Sequence, residues 1–296
     1  MKNKPLILLI ATLFLLACGP EISGKDEKSF KASKAKMEEK LDKEEKETLE
    51  KALRVIVLKA MKEKWDHPEE NKGKSFDEMT MAIIDGKTFS GIVNYAEDFL
   101  KADKEEGIKN ANAEIDSLNK EKLKVKAIIK KLDAFKLTKV FISEDQFFSA
   151  KQPYLDMVFT NTSAENLLGE YMFDITIYSK KTGEVIASQE QGGTWNDDYV
   201  LKPNENFDYH QPLLSEAIAH SNLWKTAKYP ITDFSPFDLV VKAYATTITT
   251  KKDGTISKPR ADIAYYDAKI KKLKEEIKEL KDRKATLDEL ELTNEE

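Results

Sequence analysis

Three histidines, one cysteine and one Gly-Lys-Thr triplet are the residues of this 296-residue chain that invite a chemical reading. Gly86-Lys87-Thr88 lies within IDGKTFSG (84–91) and suggests phosphate binding. A phosphate-wrapping loop needs a further glycine five residues before Gly86 and a strand ahead of it. Met81 stands there, and no strand pattern precedes. The bland reading accounts for the residues better: Asp85-Gly86 ends one helix and Thr88 caps the next. His67 sits in the polar break WDHPEENKG, His210 ends a strand pattern, and His220 edges an apolar stripe. None has a convergent partner in sequence, as metal ligation or general-base work requires. The carboxylates lie on periodic segments beside Lys, which reads as solvated helix faces. GGTWNDDY (192–199) puts Trp195 beside Asn196, Asp197 and Asp198. A calcium or sugar contact would fit these residue types, but the alternation of a calcium loop is missing and a plain turn suffices. No catalytic residue, metal site or cofactor is therefore assigned, and an enzyme is not expected.

Cys18 differs in kind. It follows Met1-Lys2-Asn3-Lys4 and a charge-free run of about 13 residues from Pro5 to Ala17. That run is too short to span a bilayer comfortably and has the layout of a signal peptide. Leu15-Leu16-Ala17-Cys18 resembles the bacterial lipobox, with Leu16 a less usual occupant of its position. The resemblance implies that Cys18 carries diacylglycerol, that the chain is cut before it and that the new amino terminus is acylated. The competing readings are a buried core cysteine or an ordinary secretory signal. Several acyl chains, at about 0.8 kcal/mol per buried CH₂, would anchor the chain firmly. With its one cysteine spent on lipid, the mature chain has no thiol for catalysis or for an internal disulfide. Gly19 rather than Asp after the cysteine implies, for Gram-negative lipoproteins of this kind, the outer membrane.

Charged residues make up 34% of the chain and hydrophobic ones 41%, with a formal net charge of −5. The first figure points to long solvated helices and the second leaves enough for a core. An acidic balance gives no general electrostatic reason to bind nucleic acid.

The elements that position these residues follow from periodicity. The expected fold class is α+β: a helical region, an antiparallel coiled-coil stalk, and an immunoglobulin-like β-sandwich inserted between the stalk helices. The expected divisions are a signal peptide (1–17), a tether (18–28), a helical region (29–106), a first coiled-coil helix (107–135), the sandwich (136–260), a second coiled-coil helix (261–291) and a tail (292–296). Asp42-Lys43-Glu44-Glu45 and Ser75-Phe76-Asp77-Glu78 are capping boxes that open helices. Ile108, Ala111, Ile115, Leu118, Lys122, Val125, Ile129 and Leu132 alternate at spacings of three and four, a heptad seam. Ile263, Tyr266, Ile270, Leu273, Ile277, Leu280, Lys284 and Leu287 repeat it. Setting Leu132 opposite Ile263 pairs Lys122 with Leu273 and Ile115 with Leu280, over about 36 Å. Two unrelated surface helices, or parallel pairing with a second copy, are the alternatives.

Between the seams, KLTKVFIS, YLDMVFTN, YMFDITIYS and EVIASQ alternate with period two. YVLKPNENFDYH (199–210) reads as two short strands around a Pro-Asn turn, and FDLVVKAYATTITT as one long final strand. About seven short strands favour the sandwich. Its expected core is Val140, Ile142, Leu155, Met157, Phe159, Phe173, Ile175, Ile177, Val240 and Ala243. PLLSEAIAHSNLWK (212–225) reads as a helix laid across it.

ACGPEISG, SFKASKAKM, EKALRVI and IDGKT, followed by a heptad helix and a β domain with an LKPNE turn, resemble a family of uncharacterised bacterial envelope lipoproteins. The resemblance implies location and order of parts and carries no activity; the long C-terminal heptad helix departs from the family's usual ending. The function expected is that of a lipid-anchored envelope protein on the periplasmic face of the outer membrane. It would touch the membrane through Cys18 and contact an envelope protein or glycan through its β domain. Trp195 and Trp224, in irregular interruptions of regular strands, are the candidate partner-binding residues, with core padding as the alternative. A ligand-binding or hydrolytic module using the end of the sandwich near Trp195 and His210 is the other function class.

Overall fold

The computed structural model describes residues 19–147, 150–195, 199–213, 224 and 226–291. The fold is α+β, with helices and antiparallel sheets in two compact units. Residues 117–269 form one unit, and the segments on either side of them form the other.

The helical unit contains α1 (Glu27–Glu38), α2 (Lys43–Asp66), α3 (Phe76–Ile84) and the first part of α4 (Phe89–Leu132). Asp26 caps α1 through the Ser29 amide. Both capping boxes form: Asp42 with Glu45 opens α2, and Ser75 with Glu78 opens α3. Each satisfies two amides at a helix start. Gly86, at φ 70°, makes the turn out of α3, and the Thr88 hydroxyl accepts from the Gly91 amide in the first turn of α4. Leu49, Ala52, Leu53 and Ile56 of α2 meet Met37, Ile84, Ile92 and Ala96 in one buried cluster. Lys62 bridges from α2 to Asp103 and Glu106 of α4.

Three of the expected boundaries change in this unit. The tether does not run to residue 28, because Ile22 is 1% exposed within the helical core. The second long helix, α5 (Ile263–Asp282), does not run to 291. Ala285 adopts φ 60°, and Leu287 starts a 3-10 turn whose side chain enters the same core at 2% exposure. Leu287 is thus a core residue of the helical unit rather than the last position of a helical seam. Burial there outweighs the last turn of a charged helix, which has little packing to lose. At the other end the first long helix begins at Phe89, not near 107, and Leu132 closes it.

The second unit carries two antiparallel sheets. One has the order β1-β2-β5, from β1 (Phe135–Phe147), β2 (Ala150–Asn161) and β5 (Asn206–Pro212). The other has the order β4-β3-β6-β7, from β3 (Gly169–Ser179), β4 (Val185–Trp195), β6 (Leu239–Thr250) and β7 (Gly254–Ser257). Both sheets feed one buried cluster that includes Ile142, Leu155, Met157, Phe159, Phe173, Ile175 and Ile177. Val140 and Ala243 pack on its margin, while Val241 rather than Val240 is buried. Residues 199–201 form only an isolated bridge, Leu167 to Leu201, because the chain turns at Asn204 (φ 63°) and a strand resumes at Asn206. The long last strand is followed by an unforeseen β7, entered through a tight reversal at Gly254 (φ 68°) after Lys251-Lys252-Asp253.

Most seam positions are covered, while Lys284 is exposed past the end of α5. In the helical unit Ala111, Ile115, Ile270 and Ile277 are buried; in the other, Val125 and Leu132. Ile108, Leu118, Ile129, Ile263, Tyr266, Leu273 and Leu280 are half-buried. The contacts disagree with the expected alignment. Within the helical unit a Cβ on Gly107 would lie 3.3 Å from Leu280, which the alignment placed against Ile115. Within the other unit Lys122 pairs with Asp267, where Leu273 was expected. Both contacts move the pairing by about one heptad, the smallest slip that keeps every apolar position facing the seam.

Candidate functional site

Thr88 and its neighbours do local structural work. The Ile22 amide donates to the Lys87 carbonyl at 2.9 Å, and the Gly86 amide donates back to Ile22 at 2.9 Å. The Gly24 amide donates to Asp85 Oδ1 at 2.7 Å, and the Ser23 amide to Ser33 Oγ at 2.9 Å. Glu21 and Thr88 form a bridge. The Gly-Lys-Thr triplet therefore binds the chain's own front segment. Sequence reasoning missed this because EIS (21–23) is too short to show a period. A Cβ on Gly24 would lie 2.0 Å from the Met81 carbonyl oxygen, which is the physical reason for glycine there.

Among the described residues a cluster of chemistry-bearing side chains lies across β1, β2 and β5. His210 of β5 stands opposite Asp156 of β2 in register. Its Nδ1 is 2.6 Å from Asp156 Oδ1, and its Nε2 is 3.2 Å from Asp145 Oδ2 on β1. Ser143 donates its hydroxyl proton to the other oxygen of Asp156, and the Tyr154 ring stacks on the imidazole at 4.4 Å. The bond to Asp156, helped by Asp145, holds the His210 pKa above its usual value despite some burial. Asp145 is pushed below the usual carboxylate range by the Gln146 amide and by His210.

The arrangement has the residue types of a Ser-His-Asp triad but different wiring. In a triad the imidazole takes the serine proton while the carboxylate holds its other nitrogen. Here Ser143 bonds the carboxylate, and both imidazole nitrogens are taken by carboxylates. A protonated ring in that position has no lone pair left to accept a proton. The two nitrogens also point apart, so the two carboxylates cannot converge on one ion. Among the described residues no group of three or more His, Cys, Asp or Glu is placed to hold a metal. What the cluster can do is tie three strands together by charge. Its signal in sequence was Asp145, Asp156 and His210 on alternating strands, legible only once the register is known.

Cys18, His220 and Asn196 to Asp198 lie outside the described residues, as does the expected 212–225 helix apart from Pro212, Leu213 and Trp224. The two candidate tryptophans are described, and neither is presented at a surface. Trp195 is 6% exposed, stacked on Tyr171 at 4.1 Å and edge-on to Phe135 at 5.5 Å. Its Nε1 has no hydrogen-bond partner among the described residues. Trp224 is 5% exposed and stacks on Phe237 at 4.4 Å. Both are corrected to core residues: a large ring beside irregular backbone fills the end of a two-sheet core.

Asn161 is another buried polar group. Its Nδ2 donates to the Glu165 and Leu201 carbonyls at 2.7 and 2.8 Å, and its Oδ1 accepts from the Ser163 amide and hydroxyl. The side chain knits the turn after β2 to the Leu201 bridge.

Lastly, no helix among the described residues is long and apolar enough to cross a membrane. A family of unknown function, DUF6694, matches the chain over residues 4–101. The match takes in the apolar run, Cys18, α1 to α3 and the start of α4, and none of the β unit. No curated protein and no solved structure matches.

Proposed function

We propose that this is a lipid-anchored, non-enzymatic protein of the bacterial envelope, held through acyl chains on Cys18 at the periplasmic face of the outer membrane. The single observation that carries this reading is the order charge-free run, Leu15-Leu16-Ala17-Cys18, folded chain. The first pinned residue, Glu21, comes three positions after the cysteine, as for a mature chain beginning at Cys18. The similarity to DUF6694 includes the apolar run, so that stretch is shared with the family. In this reading the two long helices pair as an antiparallel coiled coil that carries an immunoglobulin-like sandwich. Its support is the covered seam and the contacts of Gly107 and Lys122. The sandwich makes the contact with an envelope protein or glycan. The bonding of both His210 ring nitrogens to carboxylates, with Ser143 on Asp156 rather than on the ring, fits a role without catalysis.

The test is Cys18→Ser in a bacterial host fed labelled palmitate. Wild type is expected to take the label and fractionate with membrane. The variant should take none and be unprocessed or soluble. A wild-type protein without label, together with a variant that still sediments with outer membrane after washing, overturns the reading.

A further inference from the structure

Resting on that reading, we propose that the helical unit lies directly against the lipid surface that holds the anchor, with the face around Gly24 to Lys31 and Asp77 to Asp85 turned to the headgroups. The argument is one of chain length. Among the described residues the first tie to the fold is the Glu21–Thr88 bridge, secured by the paired Ile22 hydrogen bonds to Gly86 and Lys87. Ile22 is sealed in the core, so the segment cannot peel away without exposing it. Only Gly19 and Pro20 separate Cys18 from Glu21. Fully extended, three residue steps span at most about 11 Å. The headgroup layer on one side of a bilayer is about 5–8 Å thick. A cysteine whose lipid sits in that layer leaves the folded chain almost no slack.

Charge sets what kind of surface this face fits. Lys25 and Lys31 are cationic there, against Asp26, Glu27, Asp77, Glu78 and Asp85. Asp26, Glu27 and Glu78 are held ionised by local hydrogen bonds, their pKa values lying below the usual range. An acidic face gains nothing from anionic lipid, so the surface it suits is zwitterionic and contact is imposed by the leash. Added anionic lipid should loosen the contact, and salt should weaken that effect, since repulsion is screened over roughly 8 Å at physiological ionic strength.

The experiment is lysine footprinting with a water-soluble acylating reagent read by mass spectrometry. Cell-derived protein, its Cys18 modification checked by intact mass, is placed in phosphatidylcholine vesicles. Chain beginning at Cys18 and coupled through its thiol to a maleimide phospholipid serves as a second sample. Lys25 and Lys31 should react several-fold more slowly on vesicles than in solution. A ten-residue Gly/Ser insertion between Gly19 and Pro20 should restore them. Equal reactivity with and without the insertion, on protein that carries lipid, overturns the apposition and leaves the anchor intact. Cell-derived protein without lipid on Cys18 overturns the anchor itself, and the apposition with it.

Discussion

Two side chains of the β unit show how differently polar groups behave under burial. Asn161 is fully buried with both ends of its amide satisfied. Asn161→Ala removes a donor from two carbonyls and an acceptor from Ser163, at a cost on the order of 3 kcal/mol. Urea unfolding of the variant should show the midpoint fall with an unchanged slope. His210 is more open, so its contribution is screened, but its sign is clear. Its folded pKa is raised, so the stabilisation is complete below the unfolded value of about 6.5. It is lost as pH rises through the folded value. Stability measured from pH 5 to 8 should therefore decline in wild type and lose that decline in His210→Gln. An unchanged profile in the variant would show that the ring is not bound as described. Neither role was legible beforehand. The Leu201 carbonyl lies 40 residues from Asn161 and Asp145 lies 65 residues from His210, separations no local pattern displays.

At the level of elements the sequence was more informative. Both capping boxes, the helix stop at Asp85-Gly86 and the seam faces rest on neighbours within one or two turns, and these are patterns a sequence displays directly. The pairing register was not legible, since a heptad repeat looks the same after a slip of one heptad. The contacts distinguish the two alignments. In a Cys18→Ser background, Gly107→Cys with Leu280→Cys should oxidise to a bridge within one chain, read as a mobility shift without dimers. Ile115→Cys with Leu280→Cys should not. Bridging by the second pair alone would restore the original alignment. Lys122 is 19% exposed on the seam, and its partner Asp267 is 55% exposed. Lys122→Leu adds apolar contact and leaves behind a carboxylate that water already solvates. A gain of about 1 kcal/mol is expected, within the range for burying a few methylenes.

The whole molecule has one unit inserted into the chain of the other. Residues 117–269 fold together, while the helical unit draws on 1–116 and on 270–296. Local sequence gave no sign that its core is completed from the far end, because Leu287 continued the seam rhythm and nothing nearby marked Ala285 as a turn. The stretch similar to DUF6694 ends at residue 101, well short of Leu287, and so lacks a side chain that its own core uses. Two consequences follow for stability. Leu287→Ala should destabilise by about 2–5 kcal/mol, the range for truncating a buried leucine. The loss should fall on the helical unit, since Leu287 belongs to that unit's buried cluster and not to the cluster of the β unit. Calorimetry of the soluble Cys18→Ser protein is expected to resolve two transitions, with Leu287→Ala lowering one and Asn161→Ala the other. If both substitutions lowered both transitions equally, the units would unfold as one and the division into two cores would be wrong.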